Sequence, residues 1–289
     1  MTPKQLRILA QPELHHARML LGFSGWMDGG EVSTGTIRRF AEILQAEKLA
    51  EIDPEDFYLY SVPGNMEVAA MFRPHTKIED GLIVEYDPPE STFHFSRSAG
   101  LILFEGREPN LRWQEYGECI LSLASTFGAE MIYFIGSVGG LVPHTREPRL
   151  FGSMSREDLR PLLAPYGVRF TNYEGPAGFV TYLTRQADER GIPLVSLVAE
   201  IPAYIQGPNP RCIESVIRRL AAILGLEVRL DELRKASDAF ERRLAKVVRE
   251  RTELAGLITK LEEDYDNEVF NTEMGDLKQW LQEKGIRLD

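Results

Sequence analysis

Hydrophobic residues recur along this chain in two rhythms. Short unbroken runs, RMLLGF (18–23), FYLYSV (57–62), GLIVEY (81–86), GLILFEG (100–106), MIYFIG (131–136) and PLVSLVAEI (193–201), read as buried strands. Between them the spacing shifts to three and four. Val32 to Leu49 places Ile37, Phe40, Ala41 and Leu44 on one face, and Leu111 to Phe127 does so with Trp113, Tyr116, Ile120, Leu123 and Phe127. Pro176 to Arg190 is a third helix, stopped by Gly191, and a fourth opens at Asn209-Pro210, a capping residue followed by a first-turn proline. Ser155, with Asp158 three residues on, resembles a capping box. Strands alternating with helices predict an α/β fold with a mainly parallel sheet flanked by helices, while the close succession of strands over 81–106 makes the sheet mixed.

From Leu230 the strand rhythm stops. Leu233, Phe240, Val247, Leu254 and Leu261 fall seven apart, with Leu230, Ser237, Leu244, Arg251, Ile258 and Tyr265 between them. That heptad predicts one long helix, then a break at YDNEVFNT and a shorter helix carrying Leu277, Trp280 and Leu281 up to Gly285. The expected division is an α/β core over 1–229 and a C-terminal helical extension over 230–289. The extension either folds back as a hairpin or pairs between chains.

Composition narrows the function. The 289 residues carry 44 acidic and 33 basic side chains, a net charge of −11, which disfavours nucleic acid or an acidic membrane as partner. Cys119 and Cys212 have no metal or CxxC spacing and read as reduced thiols. The N-terminal residues lack a signal-peptide apolar core, and no run is long enough to cross a bilayer, so a cytoplasmic protein is expected.

Four turns that follow apolar runs are the candidate chemistry. GFSGWMDGG (22–30) has the strand, glycine turn and helix start that suit a phosphate. It lacks the Lys-Ser/Thr of a P-loop, and Asp28 and Glu31 would repel the ligand. A tight docking turn, with Asp28 bonding amides at the helix start, is therefore expected. GSVGG (136–140) leads to His144 and Arg146, NYEGPAG (172–178) holds Glu174, and AEIPAYIQGPNP (199–210) holds Glu200. With Arg73 of MFRPHTK these residues form a candidate ligand-binding rim: Asp28, Arg73, His144, Arg146, Glu174 and Glu200. Glu174 and Glu200 could serve as an acid–base pair if close. No nucleophile elbow, cofactor motif or metal cluster is present, so no catalytic residue, cofactor or metal is assigned.

GFSGWMDGG, PGNMEVAAMFRPHTK, LILFEGREPNLRWQEY, GSVGGLVPHTREP, NYEGPAGFVTYL and EIPAYIQGPNPRCIESVIRRLAAILGL, in this order, resemble the proteasome assembly chaperone two family, and DELRKASDAFERRL resembles the helical tail of its bacterial members. The resemblance implies a nucleoside phosphorylase/peptidyl hydrolase-like core and homo-oligomers, trimers or tetramers. It also implies a non-catalytic assembly-chaperone-like or scaffold role with a protein partner of unknown identity. The terminal GIRLD departs from the hydrophobic-tyrosine tail of chaperones that dock into proteasome pockets, with Leu288 in the tyrosine's place. Two other functions compete: a hydrolase or phosphorylase acting on a small anionic or nucleoside-like substrate, and an ATP-dependent carboxylate–amine ligase, a label some bacterial members carry.

Overall fold

The structure, a computed structural model, describes residues 3–283, with side chains described through Phe270. Eleven strands and eight α-helices follow in the order β1 (Leu6–Ile8), β2 (Arg18–Ser24), α1 (Val32–Ile43), β3 (Glu47–Ile52), α2 (Met66–Ala70), β4 (His75–Glu79), β5 (Leu82–Asp87), β6 (Ser91–Ser96), β7 (Leu101–Arg107), α3 (Trp113–Thr126), β8 (Met131–Gly140), β9 (Arg149–Met154), α4 (Arg160–Leu163), β10 (Val168–Phe170), α5 (Phe179–Glu189), β11 (Leu194–Pro202), α6 (Pro210–Leu224), α7 (Asp231–Arg249) and α8 (Thr252–Glu283). Nine strands form one sheet, ordered β1-β3-β6-β7-β2-β8-β11-β9-β10, and β4 and β5 form a separate hairpin. The centre, β7-β2-β8-β11, is parallel, and antiparallel pairs β6–β7 and β9–β11 start the flanks. The mixed α/β class read from the pattern holds.

Both faces of the central strands are apolar because both are covered. On one face Met19, Leu21, Phe23, Ile132 and Phe134 pack with Tyr116, Ile120, Phe179 and Leu183 from α3 and α5. On the other, Leu20, Leu103, Tyr133 and Ile135 pack with Ile37 and Phe40 of α1 and Ile217 and Leu220 of α6. Gly22 permits the tightest contact: a Cβ there would lie 2.5 Å from Ile37 Cγ1 and 2.8 Å from the Ser33 carbonyl oxygen. The Asn209 cap holds, its Oδ1 accepting from Cys212 N at 3.1 Å.

Five expectations are corrected. The first helix ends at Ile43, and Glu47–Ile52 instead forms β3, pairing with β1 and β6. FYLYSV is not a strand; Phe57 and Tyr58 are buried anchors in a loop. Ser155 does not cap the following helical turn, because its hydroxyl accepts from Leu194 N. The heptad is cut after Arg249, so α7 and α8 are separate helices, and α8 runs through YDNEVFNT without a break. The NYEGPAG turn follows β10, which is parallel to β9 and so runs against the central strands. The side chains of Leu277, Trp280 and Leu281, together with Gly285 and Leu288, lie outside the described residues.

The two helices return to the core. Leu230 and Leu233 join the buried cluster under α6, while α8 reaches the loop between β8 and β9 through Glu262 and Asp266 and β10 through Glu268. Among the described residues no helix is long and apolar enough to cross a membrane.

Candidate functional site

Strands β2, β7, β8 and β11 point the same way, so the turns after them share the carboxyl rim, where open α/β sheets place ligands. The 24–31 turn lies against β8: Ser137 N donates to Met27 O at 2.8 Å and Ser137 Oγ to Gly29 O at 2.7 Å. Gly30 has φ 63°, and a Cβ on it would meet Asn209 Cβ and Ile201 Cδ1 at 3.0 Å each. Its carbonyl accepts from Asn209 N at 2.8 Å. The space a phosphate would need is filled by β11 and the start of α6. Asp28 accepts from Thr34 N at 3.1 Å and Thr34 Oγ1 at 2.8 Å. Burial raises its carboxyl above the ordinary value, although the Thr34 bonds oppose the shift.

His144 is 5% exposed. Its Nδ1 lies 2.8 Å from Tyr204 Oη, which also accepts from His144 N at 2.7 Å. Burial, then the nearby Arg211, holds its pKa below the usual histidine value. Arg146 forms two bonds to Asp266 of α8, at 2.8 and 2.7 Å. Glu200 pairs with Arg149 Nη1 at 3.1 Å, and the Arg149 guanidinium lies 4.5 Å from the Tyr265 ring centroid. Arg149 and Glu200 are cross-strand neighbours of β9 and β11, a contact the sequence pattern missed because β9 was not expected. Glu174 is exposed, and no contact joins it to Glu200.

Arg73 stands apart, in a polar cleft of about 600 Å³ with Arg38, Lys48, His94, Glu105 and Arg107. Arg38 reaches into it from α1, which packs along β7, and the floor is Thr92, His94 and Glu105. Arg38 is bonded to Glu105 at 2.7 Å, whereas Arg73 and Arg107 have no carboxylate partner among the described residues. The rim is therefore two places: Arg73 at the β6–β7 side, and Asp28, His144, Arg146 and Glu200 over β8 and β11. Burial pushes the Cys119 and Cys212 thiols up to about 12, which leaves both without thiolate character at neutral pH. No group of three or more His, Cys, Asp or Glu side chains that could hold a metal occurs among the described residues.

The nine-stranded mixed sheet, packed by helices on both faces and with its glycine turn bonded to β8, defines an α/β protein of layered architecture. The PAC2 family profile matches residues 22–248, and the chain belongs to that family. A PAC2 family protein from Streptomyces avermitilis superposes with a TM-score of 0.71 at 27% identity, covering 83% of this chain and 99% of that one. A proteasome-assembly chaperone homologue from Mycobacterium tuberculosis matches with the same TM-score of 0.71, identity of 27% and coverage of 83% and 99%. The uncharacterised protein MJ1210 of Methanocaldococcus jannaschii is 25% identical over 131 residues, 45% of this chain, so that the match spans about half the length of that curated relative, 50%.

Proposed function

We propose that this protein is a non-catalytic, homo-oligomeric scaffold of the assembly-chaperone kind, whose partner is another protein. The observation that carries the reading is the state of the rim over β8 and β11: Asp28, His144, Arg146 and Glu200 are each bonded to Thr34, Tyr204, Asp266 and Arg149. A general acid or base needs a free face toward a substrate, and these groups spend theirs on holding the turns. Similarity to the M. tuberculosis chaperone homologue supports the same reading.

Two experiments test it. Titration calorimetry with ATP and Mg²⁺, and with nucleosides plus phosphate, gives no saturable heat. Cross-linking in native lysate followed by mass spectrometry recovers a discrete protein joined to rim residues. Saturable ATP heat, with turnover abolished in Glu200→Gln, would replace the scaffold by an enzyme. The cleft around Arg73 and Arg107 supports a second reading, a small anionic ligand. Phosphate near 100 times its dissociation constant would then stabilise the protein by about 2.7 kcal/mol, and Arg73→Ala would abolish that shift.

A further inference from the structure

The least ordinary surface lies between β3 and β6. Every residue of β4 and β5 is exposed, and each of these strands pairs only with the other. Met66 is 89% exposed, Met71 74%, Ile78 60%, Leu82 70%, Ile83 71% and Tyr86 62%. A lone two-stranded ribbon is marginal in water, and contiguous exposed apolar area beyond a few hundred Å² marks an interface. The arm is nonetheless held out in a defined place. Asn65 Oδ1 caps α2 at Val68 N, 3.0 Å, and Arg107 Nη2 donates to Met71 O at 3.2 Å. Because β3 ends and β6 begins at the carboxyl rim, the arm projects from that rim.

A second apolar surface sits on the same rim, over the sheet centre. Trp26 is 71% exposed and Leu141 79%, with Val138 at 36% and Tyr204 at 37% beside them. Both come from turns fixed to the sheet, through Met27 O to Ser137 N and Gly140 O to Ala203 N. Among the described residues no hydrogen bond joins this shelf to the arm within the chain.

We infer that the arm of one copy seats on the Trp26–Leu141 shelf of a neighbouring copy, head to tail. This rests on the oligomeric scaffold reading and locates its contact. The six arm side chains, taken over α2 and both faces of the β4–β5 ribbon, expose on the order of 800 Å², so an arm gripped on both sides contributes one partner's share of a standard interface. A second copy is the occupant because each chain carries both unlike surfaces at a ratio of one to one. Where its rotation closes, a contact of that kind makes a ring in which every arm and every shelf is covered. A foreign protein would have to cover two separated surfaces to achieve the same burial.

The test is native mass spectrometry and sedimentation of the full chain. The wild type sediments at a multiple of 32.8 kDa. The arm variant Leu82→Asp/Ile83→Asp and the shelf variant Leu141→Asp each associate at least 100-fold more weakly and run as monomers with unchanged circular dichroism. Mixed one to one they form a dimer, since one intact arm meets one intact shelf. Independently, Ile83→Cys/Leu141→Cys cross-links between chains on oxidation, the native Cys119 and Cys212 being buried. An arm variant that keeps the wild-type mass, a mixture that stays monomeric, or absence of the cross-link overturns the head-to-tail seating and leaves the scaffold reading standing. A monomeric wild type overturns both.

Discussion

Replacing Arg149 by methionine tests whether Glu200 is structural. The Arg149 side chain is 9% exposed and that of Glu200 19%, with Nη1 and Oε2 3.1 Å apart. Methionine keeps the apolar stem but removes the cation, leaving Glu200 beside Gly140, where a Cβ would already collide with the carboxylate. Breaking a buried pair from one side costs about 3–5 kcal/mol. The partial exposure of Glu200 puts this case near 3, and the lost stacking on Tyr265 adds roughly 0.5–1 kcal/mol. Glu268 contributes little, because Arg169 Nη1 still donates to it at 2.6 Å. The total, about 3–4 kcal/mol, is read as a lower urea midpoint at unchanged slope. Glu200→Gln in the same background recovers at least about 1 kcal/mol of it, the coupling expected of residues in contact. A loss under 0.5 kcal/mol, additive with Glu200→Gln, would refute the reasoning and return Glu200 to the list of candidate acids.

Gly22→Ala pushes a methyl into Ile37 and the Ser33 carbonyl; overpacking of about 1–3 kcal/mol appears as a lower melting temperature with the same circular dichroism. The α8 contacts at Arg146, Arg149 and Arg169 are ion pairs screened by salt, so 1 M NaCl accelerates hydrogen exchange over 252–270 while β2 and β8 stay protected. Acid acts on the same contact. Asp266 has its pKa lowered by the bond from Arg146, so its contribution is present above the ordinary aspartate value and is lost as pH falls through the lower folded one. His144 has a folded pKa below 6.5, so the unfolded chain binds the proton first. Stability falls as pH drops below about 6.5, and His144→Gln flattens that part of a pH–stability curve.

What the sequence disclosed followed local chemistry. Asn209-Pro210 opens α6 because a cap and a first-turn proline act within a few residues. In the 22–30 turn the bond expected from Asp28 to an amide at the helix start is present, at Thr34 N. What stayed hidden depended on distant partners. Glu47–Ile52 continues the helical spacing of α1, and only pairing with β1 and β6 makes it a strand. The chain turns there at Gln45 with φ 49°, a left-handed position that no glycine announces. The α7–α8 junction at Glu250-Arg251 likewise carries no proline or glycine; the heptad spacing runs across it, and its one local mark is the charged Arg251 at a seam position that also interrupts the apolar pattern. Arg149, which fixes Glu200, was invisible until the β9–β11 register placed them opposite each other.

The rim of an open α/β sheet is a cavity by construction, since parallel strands end together and their turns diverge. Whatever fills it determines what the fold can do. Here Ile201 and Asn209 close over Gly29 and Gly30, Tyr204 occupies His144, and Arg149 and α8 neutralise the charges between β9 and β11. In the scaffold reading proposed above, a rim held by its own chain gains rigidity and leaves recognition to residues that the closed turns do not cover. Trp26 and Leu141 are at the tips of those turns, and the β4–β5 arm grows from the same rim between β3 and β6. Exposed apolar side chains on fixed backbone suit protein contact, because little conformational entropy is lost when a surface already held in place is buried.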